Sequence, residues 1–424
     1  MHHLEGTDLV MTVRQFTFMG DSLTNGDADA ASPTEFGGKG SWVQLLTTYL
    51  ASIPSIGPLI GYGLKLVAAD LTKKWAQTGS WTATVSTDAF DKAPYGLGYY
   101  ASGSSFVLKY THPTQWQALV GFAVDWVDYA AGGAWSYRIN GGAWTANGQT
   151  LQHDNHYCRF YVTAIINPGD TIEFRAADTG GTAAGCFIVG IHPFILAPST
   201  ADGLIIHNAG VGGETLHNLV ASTSGDRLAF LDAVRLGTGS PIASTPNMGA
   251  IVEHVNDIHL INNTTTWATD LSTLQARVSP LCPFGIWTAW ELDLTLDPAA
   301  DQNAYRAQTK TSAAGFTPVS SVYDVFDAWN SKGFGGSGAQ NAKILAAGLI
   351  LILAGNAVHE SQLGHVDLAE RLFGWVRQIY LADYDGVPEF MTSSSIPRAG
   401  TYAASSAVSD VIRATGPIAS IGTR

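Results

Sequence analysis

Two kinds of hydrophobic periodicity divide the chain. In the first part and again after about residue 200, short apolar runs typical of buried strands alternate with amphipathic helical stretches. This alternation predicts a parallel, doubly wound α/β sheet. Between Gly79 and Pro198 the pattern changes to the two-residue alternation of half-buried strands. We therefore predict an α/β domain into which an all-β sandwich is inserted.

The predicted α/β part consists of strands that alternate with helices along the chain. Strands are predicted at Gln15–Met19, Leu204–Asn208, Gly249–Glu253, Phe284–Thr288 and Val319–Tyr323, and helices near Trp42–Ala51, Asp226–Val234, Trp267–Val278, Ala299–Ala314 and Val366–Tyr380.

The inserted segment is rich in aromatic residues and turn signals. It holds 20 of the 44 aromatic residues of the chain. Asn140-Gly141-Gly142 lies between two alternating runs and supplies the positive φ angles of a tight turn, and Pro168-Gly169-Asp170 marks another. Such a segment predicts a jelly-roll-like sandwich whose aromatic side chains either stack on sugar rings or fill its core. Predicted strands include Trp81–Val85, Ser105–Tyr110, Trp135–Ile139 and Thr171–Arg175, and the candidate sugar-stacking residues are Tyr99, Tyr100, Trp116, Trp126, Trp135 and Trp144.

These patterns give a domain division. Residues 1–10, with two histidines near the start, resemble the remnant of a purification tag and are left out of the fold prediction. Residues 11–78 and 199–384 form the predicted α/β domain and residues 79–198 the inserted β-sandwich. Residues 385–424, rich in Ser, Ala, Thr and Pro, are expected to be an arm or a linker.

Charge and composition exclude several classes of partner. The chain has 424 residues, a net charge of −13 and a pI near 5.2. It has no basic stripe for nucleic acid and no uninterrupted apolar run long enough to span a membrane. No secretion signal is visible, but the glycine-rich, lysine-poor composition is similar to that of extracellular and phage proteins, so we expect an extracellular or virion-associated protein. Oligomeric state is not predicted.

Cys158 and Cys186 are expected either to form a disulfide or to remain free thiols.

Four short motifs carry the candidate chemistry. Gly20-Asp21-Ser22-Leu23 follows the first predicted strand and precedes a helix, so Ser22 is expected at the carboxyl edge of the sheet, where α/β proteins bind ligands. Segment 208–215, which contains Gly210, follows the next parallel strand, and segment 254–257, which contains Asn256, ends the third. The fourth motif, Asn356-Ala-Val-His359, precedes the last helix.

In this order and spacing the motifs resemble blocks I, II, III and V of the GDSL/SGNH hydrolases. The resemblance implies that Ser22 is the nucleophile and His359 its base. It also implies an oxyanion hole made of the Ser22 N–H, the Gly210 N–H and the Asn256 side chain. It covers about residues 11–60 and 200–382 and says little about the insertion. In block III, His254 stands where the family has glycine.

A second departure lies at Asn356, where the family has aspartate. Asparagine can orient the imidazole but cannot stabilise imidazolium by charge. Three alternatives stay open: a Ser–His dyad, a supporting carboxylate at Glu360, Asp324 or Asp327, or a weakened site.

The resulting function prediction is a serine esterase that removes acyl groups, foremost acetyl, from a polysaccharide or glycoconjugate. The alternatives are a lipolytic or small-ester carboxylesterase, and a glycan-binding adhesin or phage-tail receptor protein with a weakened hydrolase site. No cofactor or metal is predicted. The alternating oxygen residues 25–29 lack the closing glutamate of a calcium loop, and His153 and His156 lack the further ligands of a zinc site.

Overall fold

The computed structural model shows a mixed α/β protein. It describes residues 13–25, 41–53, 59–62, 64–65, 75–85, 97–101, 105–114, 117–128, 134–147, 156–176, 186–195, 203–210, 213–220, 228, 247–253, 255–280, 284–317, 320–353 and 356–380.

The described strands are numbered in chain order. They are β1 Val13–Gly20, β2 Leu59–Tyr62, β3 Leu64–Lys65, β4 Trp75–Thr78, β5 Thr82–Val85, β6 Leu97–Ala101, β7 Val107–Thr111, β8 Leu119–Asp128, β9 Trp135–Ile139, β10 Thr145–Ala146, β11 His156–Ile166, β12 Thr171–Ala176, β13 Cys186–Phe194, β14 Gly203–Gly210, β15 Asn247–Glu253, β16 Phe284–Thr288, β17 Ser321–Asp324, β18 Ile350–Leu353 and β19 Asn356–Glu360.

The described helices are numbered in the same way. They are α1 Ser22–Asn25, α2 Trp42–Ala51, α3 Leu216–Val220, α4 Asn256–Leu260, α5 Thr264–Val278, α6 Ala299–Gly315, α7 Val325–Trp329, α8 Gln340–Ala346 and α9 Gln362–Tyr380, and a π-helical turn, Asn330–Phe334, follows α7.

One large sheet combines parallel and antiparallel strands. Strands β2, β14, β1, β15, β16 and β17 are neighbours in this order and run parallel. Beyond β2 the sheet continues antiparallel through β13, β8 and β11. The sheet is therefore mixed, whereas the sequence predicted a parallel one. Strands from both sides of position 198, the predicted boundary between the insertion and the α/β domain, belong to this one sheet. That boundary remains a prediction.

The parallel strands end together at one edge. Gly20 of β1 is in register with Gly210 of β14 and with Glu253 of β15. The segments that follow these three strands contain the first three predicted motifs, so the strand register alone brings them to a common edge.

Alternation along β1 places apolar side chains on both faces of the sheet. Phe16 and Phe18 belong to the core that α2 and α9 cover, whereas Met19 belongs to a second core with side chains of α3, α5 and α6. Strand β1 is thus buried on both faces. The first core also explains Gly364 in α9, because a Cβ there would collide with the Leu349 carbonyl oxygen.

The second sheet has the order β10-β9-β12-β7-β4 and is antiparallel. Its inner face and strands of the large sheet enclose an aromatic core, in which Trp126 and Trp135 are fully buried. These two tryptophans fill the core and are not sugar-stacking residues, while Trp144 is only half-buried. The predicted turn is confirmed by the positive φ values of Asn140 (51°) and Gly141 (70°).

A buried polar group lies where β11, β8, β13 and β14 approach one another. Arg159 donates two hydrogen bonds to Asp125, at 2.6 and 2.7 Å, and both side chains are excluded from solvent. The rings of His192 and His207 lie 4.9 Å apart and are also buried. Burial, followed by the nearby positive charge of Arg159, holds the pKa of both histidines well below its usual range.

Some sequence predictions concern residues outside the described ranges. They include most of the predicted helix 226–234, the side chain position at 254, Trp116, residues 26–29 and the C-terminal segment 385–424. Cys158 and Cys186 are not joined to each other by a disulfide, so the disulfide alternative is wrong. None of the described helices is both long and apolar enough to cross a membrane.

Candidate active site

Ser22 and His359 meet at the carboxyl edge of the parallel strands. Ser22 is the first residue of α1, directly after β1, and His359 lies on β19, 337 residues further along the chain. The distance between His359 Nε2 and Ser22 Oγ is 2.9 Å. This is the distance expected between a nucleophile and its general base.

Asp21 connects the serine turn to the segment that contains Asn256. Its buried carboxylate accepts hydrogen bonds from the N–H groups of Leu23 (2.9 Å), Val255 (2.8 Å) and Asn256 (3.2 Å). Because one rigid side chain holds both main-chain segments, the position of Asn256 is fixed relative to Ser22.

The Asn256 side chain is itself oriented. Its Nδ2 donates a hydrogen bond to the Glu214 carbonyl oxygen, at 2.9 Å. An amide nitrogen carries two hydrogens, so this bond leaves the second N–H for another acceptor.

The Gly210 N–H is engaged in this structure. It donates to Asn208 Oδ1 at 3.0 Å, and Asn208 Nδ2 in turn donates to the Thr24 carbonyl oxygen at 3.2 Å. Gly213, three residues further, has φ of 75°, and no heavy atom lies within 4 Å of the position that a Cβ would take. The predicted role of Gly210 therefore requires that Asn208 release its N–H, whereas the backbone at Gly213 is open.

A second carboxylate, that of Asp257, holds the start of α3 at this edge of the sheet. Asp257 accepts from the N–H groups of Leu216 (2.6 Å) and His217 (3.2 Å), at the start of α3, while Tyr305 donates to the Asp257 carbonyl oxygen. Burial raises the pKa of Asp257 to about 7, against the lowering effect of these hydrogen bonds.

Residues of helices α2 and α9 form hydrogen bonds next to the serine turn. Trp42 Nε1 donates to the Leu23 carbonyl oxygen at 2.8 Å, and the Trp42 N–H donates to His365 Nδ1 at 3.3 Å. Burial, together with the nearby charge of His359, lowers the pKa of His365 to about 3. His365 is therefore neutral near pH 7, which agrees with its acceptor role at Nδ1.

The three carboxylates predicted as possible partners of His359 have different environments in the structure. Glu360 is fully buried, and burial, with the charge of Asp21, raises its pKa well above the usual range. A raised pKa favours the uncharged acid, so Glu360 is poorly suited to stabilise imidazolium by charge. Asp324 and Asp327 both pair with Lys310, at 2.6 and 2.8 Å.

Asn356 begins strand β19, where its register partner is Leu353. Its backbone is placed three residues before His359 in the same strand. The predicted contact of its side chain with His359 stays a prediction.

The residues that hold the site together are not indicated by the sequence. Asp21 is predicted only as part of a motif and Trp42 only as a helix residue, and His365 has no predicted role. No local pattern distinguishes a buried carboxylate that binds backbone N–H groups from an exposed one, because that difference arises only when distant segments pack. Within the described ranges, no three or more His, Cys, Asp or Glu residues are grouped to hold a metal ion.

Comparisons with known proteins show the fold. No family model matches the sequence, and no curated protein matches it. Among solved structures, a peptidoglycan O-acetylesterase is similar over 88% of this chain and 92% of its own, with a TM-score of 0.55 and 15% sequence identity.

Two other matches are weaker. A family two carbohydrate esterase from Cellvibrio japonicus has a TM-score of 0.27 and 10% identity, over 77% of this chain and all of its own. A family 35 carbohydrate binding module from Clostridium thermocellum has a TM-score of 0.23 and 15% identity, over 29% of this chain and 93% of its own. The chain thus shares its fold with the O-acetylesterase.

Proposed function

We propose that the protein is a carbohydrate O-acetylesterase of the GDSL/SGNH type, in which Ser22 is the nucleophile. The observation that carries the proposal is the 2.9 Å contact between His359 Nε2 and Ser22 Oγ at the carboxyl edge of the parallel strands. The fold shared with a peptidoglycan O-acetylesterase supports it.

The reaction follows from these two side chains. His359 Nε2 accepts the Ser22 hydroxyl proton while Oγ bonds to the carbonyl carbon of the acetyl ester, and the carbonyl π electrons move to oxygen. As the tetrahedral intermediate collapses, imidazolium returns the proton to the leaving sugar hydroxyl, and acetyl-Ser22 remains. Water, deprotonated by His359, attacks this ester, and acetate and free Ser22 are formed.

In this proposal the oxyanion is held by donors from the segments that follow β1 and β15. These are the Ser22 N–H and the second N–H of Asn256 Nδ2, which its bond to Glu214 orients. For the backbone donor in the block II segment we propose Gly213 beside the predicted Gly210, because the Gly210 N–H is bound to Asn208. Gly210→Ala and Gly213→Ala both keep the N–H, so comparing them tests the added Cβ: at the donor position the Cβ should keep the ester carbonyl from approaching and lower kcat/KM beyond any loss of stability.

Release of p-nitrophenol from p-nitrophenyl acetate tests the proposal. Ser22→Ala should reduce the rate to the uncatalysed background, and Ser272→Ala, a change of the same size on the exposed face of α5, should leave it unchanged. Equal rates in wild type and Ser22→Ala, or no rate in wild type, would contradict the proposal.

The substrate class is tested separately. An acetylesterase should lose activity steeply as the acyl chain lengthens from acetate towards palmitate, and should release acetate from an acetylated polysaccharide. A preference for long chains would instead indicate the lipolytic alternative.

A further inference from the structure

The outer face of the five-stranded sheet carries an unusual group of cations. Leu108, Ile172 and Phe174 point into the aromatic core, so the residues that alternate with them face outward. Three outward-facing positions, Lys109 on β7, Glu173 on β12 and Arg138 on β9, are in register across neighbouring strands. With Arg175 two residues beyond Glu173, three cations and one carboxylate share this face in a protein whose net charge is −13.

Trp144 holds two of these cations in place. The guanidinium carbon of Arg138 lies 4.5 Å from the centroid of the indole ring, and that of Arg175 lies 4.3 Å from it. A guanidinium on an aromatic face keeps its N–H edges available for other acceptors. The indole therefore orients both arginines and does not use up their hydrogen-bond donors.

The two arginines differ in their partners. Arg138 Nε donates to Glu173 Oε2 at 2.7 Å, which uses that carboxylate. Arg175 faces Ser136 across the strand pair, and its Nε is buried with no hydrogen-bond partner among the described residues. A buried donor without an acceptor costs free energy. Because Nε is closed to solvent and the two Nη groups are not among the buried unpaired atoms, the outer Nη edge of Arg175 is the part that can meet an external acceptor.

The face is open to a ligand. Trp144 is half-buried, and its neighbours in the hairpin, Gly142, Ala143 and Thr145, are exposed and small. A planar carboxylate matches the in-plane N–H edge of a guanidinium in two parallel hydrogen bonds.

We propose that Arg175, oriented on Trp144 beside Arg138, binds the carboxylate groups of an acidic polysaccharide on the outer face of this sheet. The choice of a polysaccharide rests on the proposed function, because an enzyme that deacetylates glycans gains from a second contact with the same chain. The anion site itself stands on the geometry of Arg175. It is separate from Ser22 and His359, which lie at the edge of the other sheet.

Affinity electrophoresis in native gels with polygalacturonate tests the proposal. Polygalacturonate should retard the wild-type protein, and neutral dextran should not. Arg175→Gln should weaken retardation by about tenfold or more in apparent affinity, as expected for loss of a charge-assisted, two-point contact. Lys332→Gln removes the same charge from an exposed position elsewhere and should have no effect.

Two further variants sharpen the result. Trp144→Ala should also weaken binding, and Trp144→Phe should restore much of it, because an aromatic face still orients the guanidinium. Two variants distinguish the anion site from the proposed esterase activity. Arg175→Gln should keep full activity on p-nitrophenyl acetate, and Ser22→Ala should keep full binding of polygalacturonate. Equal retardation of wild type and Arg175→Gln would overturn the site. Equally strong binding of DNA or dextran sulfate would overturn its assignment to carboxylate-bearing glycans.

Discussion

The parallel and antiparallel parts of the protein use buried charge in different ways. At the carboxyl edge of the parallel strands, the buried carboxylates of Asp21 and Asp257 accept hydrogen bonds from main-chain N–H groups. Among the antiparallel strands, the buried carboxylate of Asp125 binds the side chain of Arg159 instead. The first arrangement fixes loops around Ser22, and the second fixes strands to one another. We therefore expect changes in the first region to alter catalysis and changes in the second to alter stability.

The largest expected effect is on stability, at Asp125. Asp125→Ala removes the carboxylate partner of the buried Arg159, which should lower the free energy of unfolding by about 3–5 kcal/mol. Urea denaturation measures this change. The partly exposed pair of Arg138 and Glu173 gives a matched control, because Glu173→Ala should cost only about 1 kcal/mol or less.

Replacing both partners sharpens this prediction. Asp125→Leu combined with Arg159→Met should recover much of the lost stability, since no unpaired charge is then buried. If the single and double variants lose the same stability, the cost of Asp125→Ala lies in packing and not in charge.

The next effect is on catalysis, at Asn256. Asn256→Ala should lower kcat by about 10²–10³-fold with little change in KM, because the oxyanion exists only in the transition state and tetrahedral intermediate. Steady-state kinetics with p-nitrophenyl acetate measure it, and Asn330→Ala, at an exposed position in the π-helical turn after α7, is the control. A variant with nearly full kcat would remove Asn256 from the oxyanion hole.

The buried histidines predict a dependence of stability on pH. His192 is held neutral by burial and by Arg159, so its pKa in the folded state is lower than in the unfolded state. Its contribution is present above about pH 6.5 and is lost as the pH falls below that value, because only the unfolded state then takes up the proton. In His192→Leu the slope of unfolding free energy against pH should be smaller by about 1.4 kcal/mol per pH unit below pH 6. Equal slopes in both proteins would contradict the assignment.

The smallest effects concern Asn356. If its side chain orients His359, Asn356→Ala should cost about 1 kcal/mol in transition-state stabilisation, and Asn356→Asp should raise kcat because a carboxylate stabilises imidazolium. We expect a modest gain. Unchanged kcat in both variants would show that Asn356 does not contact His359.

The sequence predicted elements better than their assembly. Phe284–Thr288 was predicted with its observed bounds, and so was Trp42–Ala51, whose start is marked by the Ser41 side chain accepting from the Gln44 N–H. That strands β13 and β8 extend the parallel sheet was not predicted. Alternation reports which face of a strand is buried, but it carries no information on which distant strand lies beside it.

The candidate site shows the same division. The motifs predicted that Ser22 and His359 would meet, and their side chains are in contact. Nothing in the sequence indicated that Asn208 would bind the Gly210 N–H or that burial would raise the pKa of Glu360. Those facts depend on packing between segments far apart in the chain.

The central claim is that His359 activates Ser22 as the nucleophile, and covalent labelling with a fluorophosphonate tests it most directly. Intact mass should show one adduct per folded wild-type chain, and peptide mapping should place it on Ser22. Labelling should be absent in Ser22→Ala, strongly slowed in His359→Ala and unchanged in Ser272→Ala. An adduct on a different serine, or labelling of Ser22 at the same rate without His359, would contradict the claim.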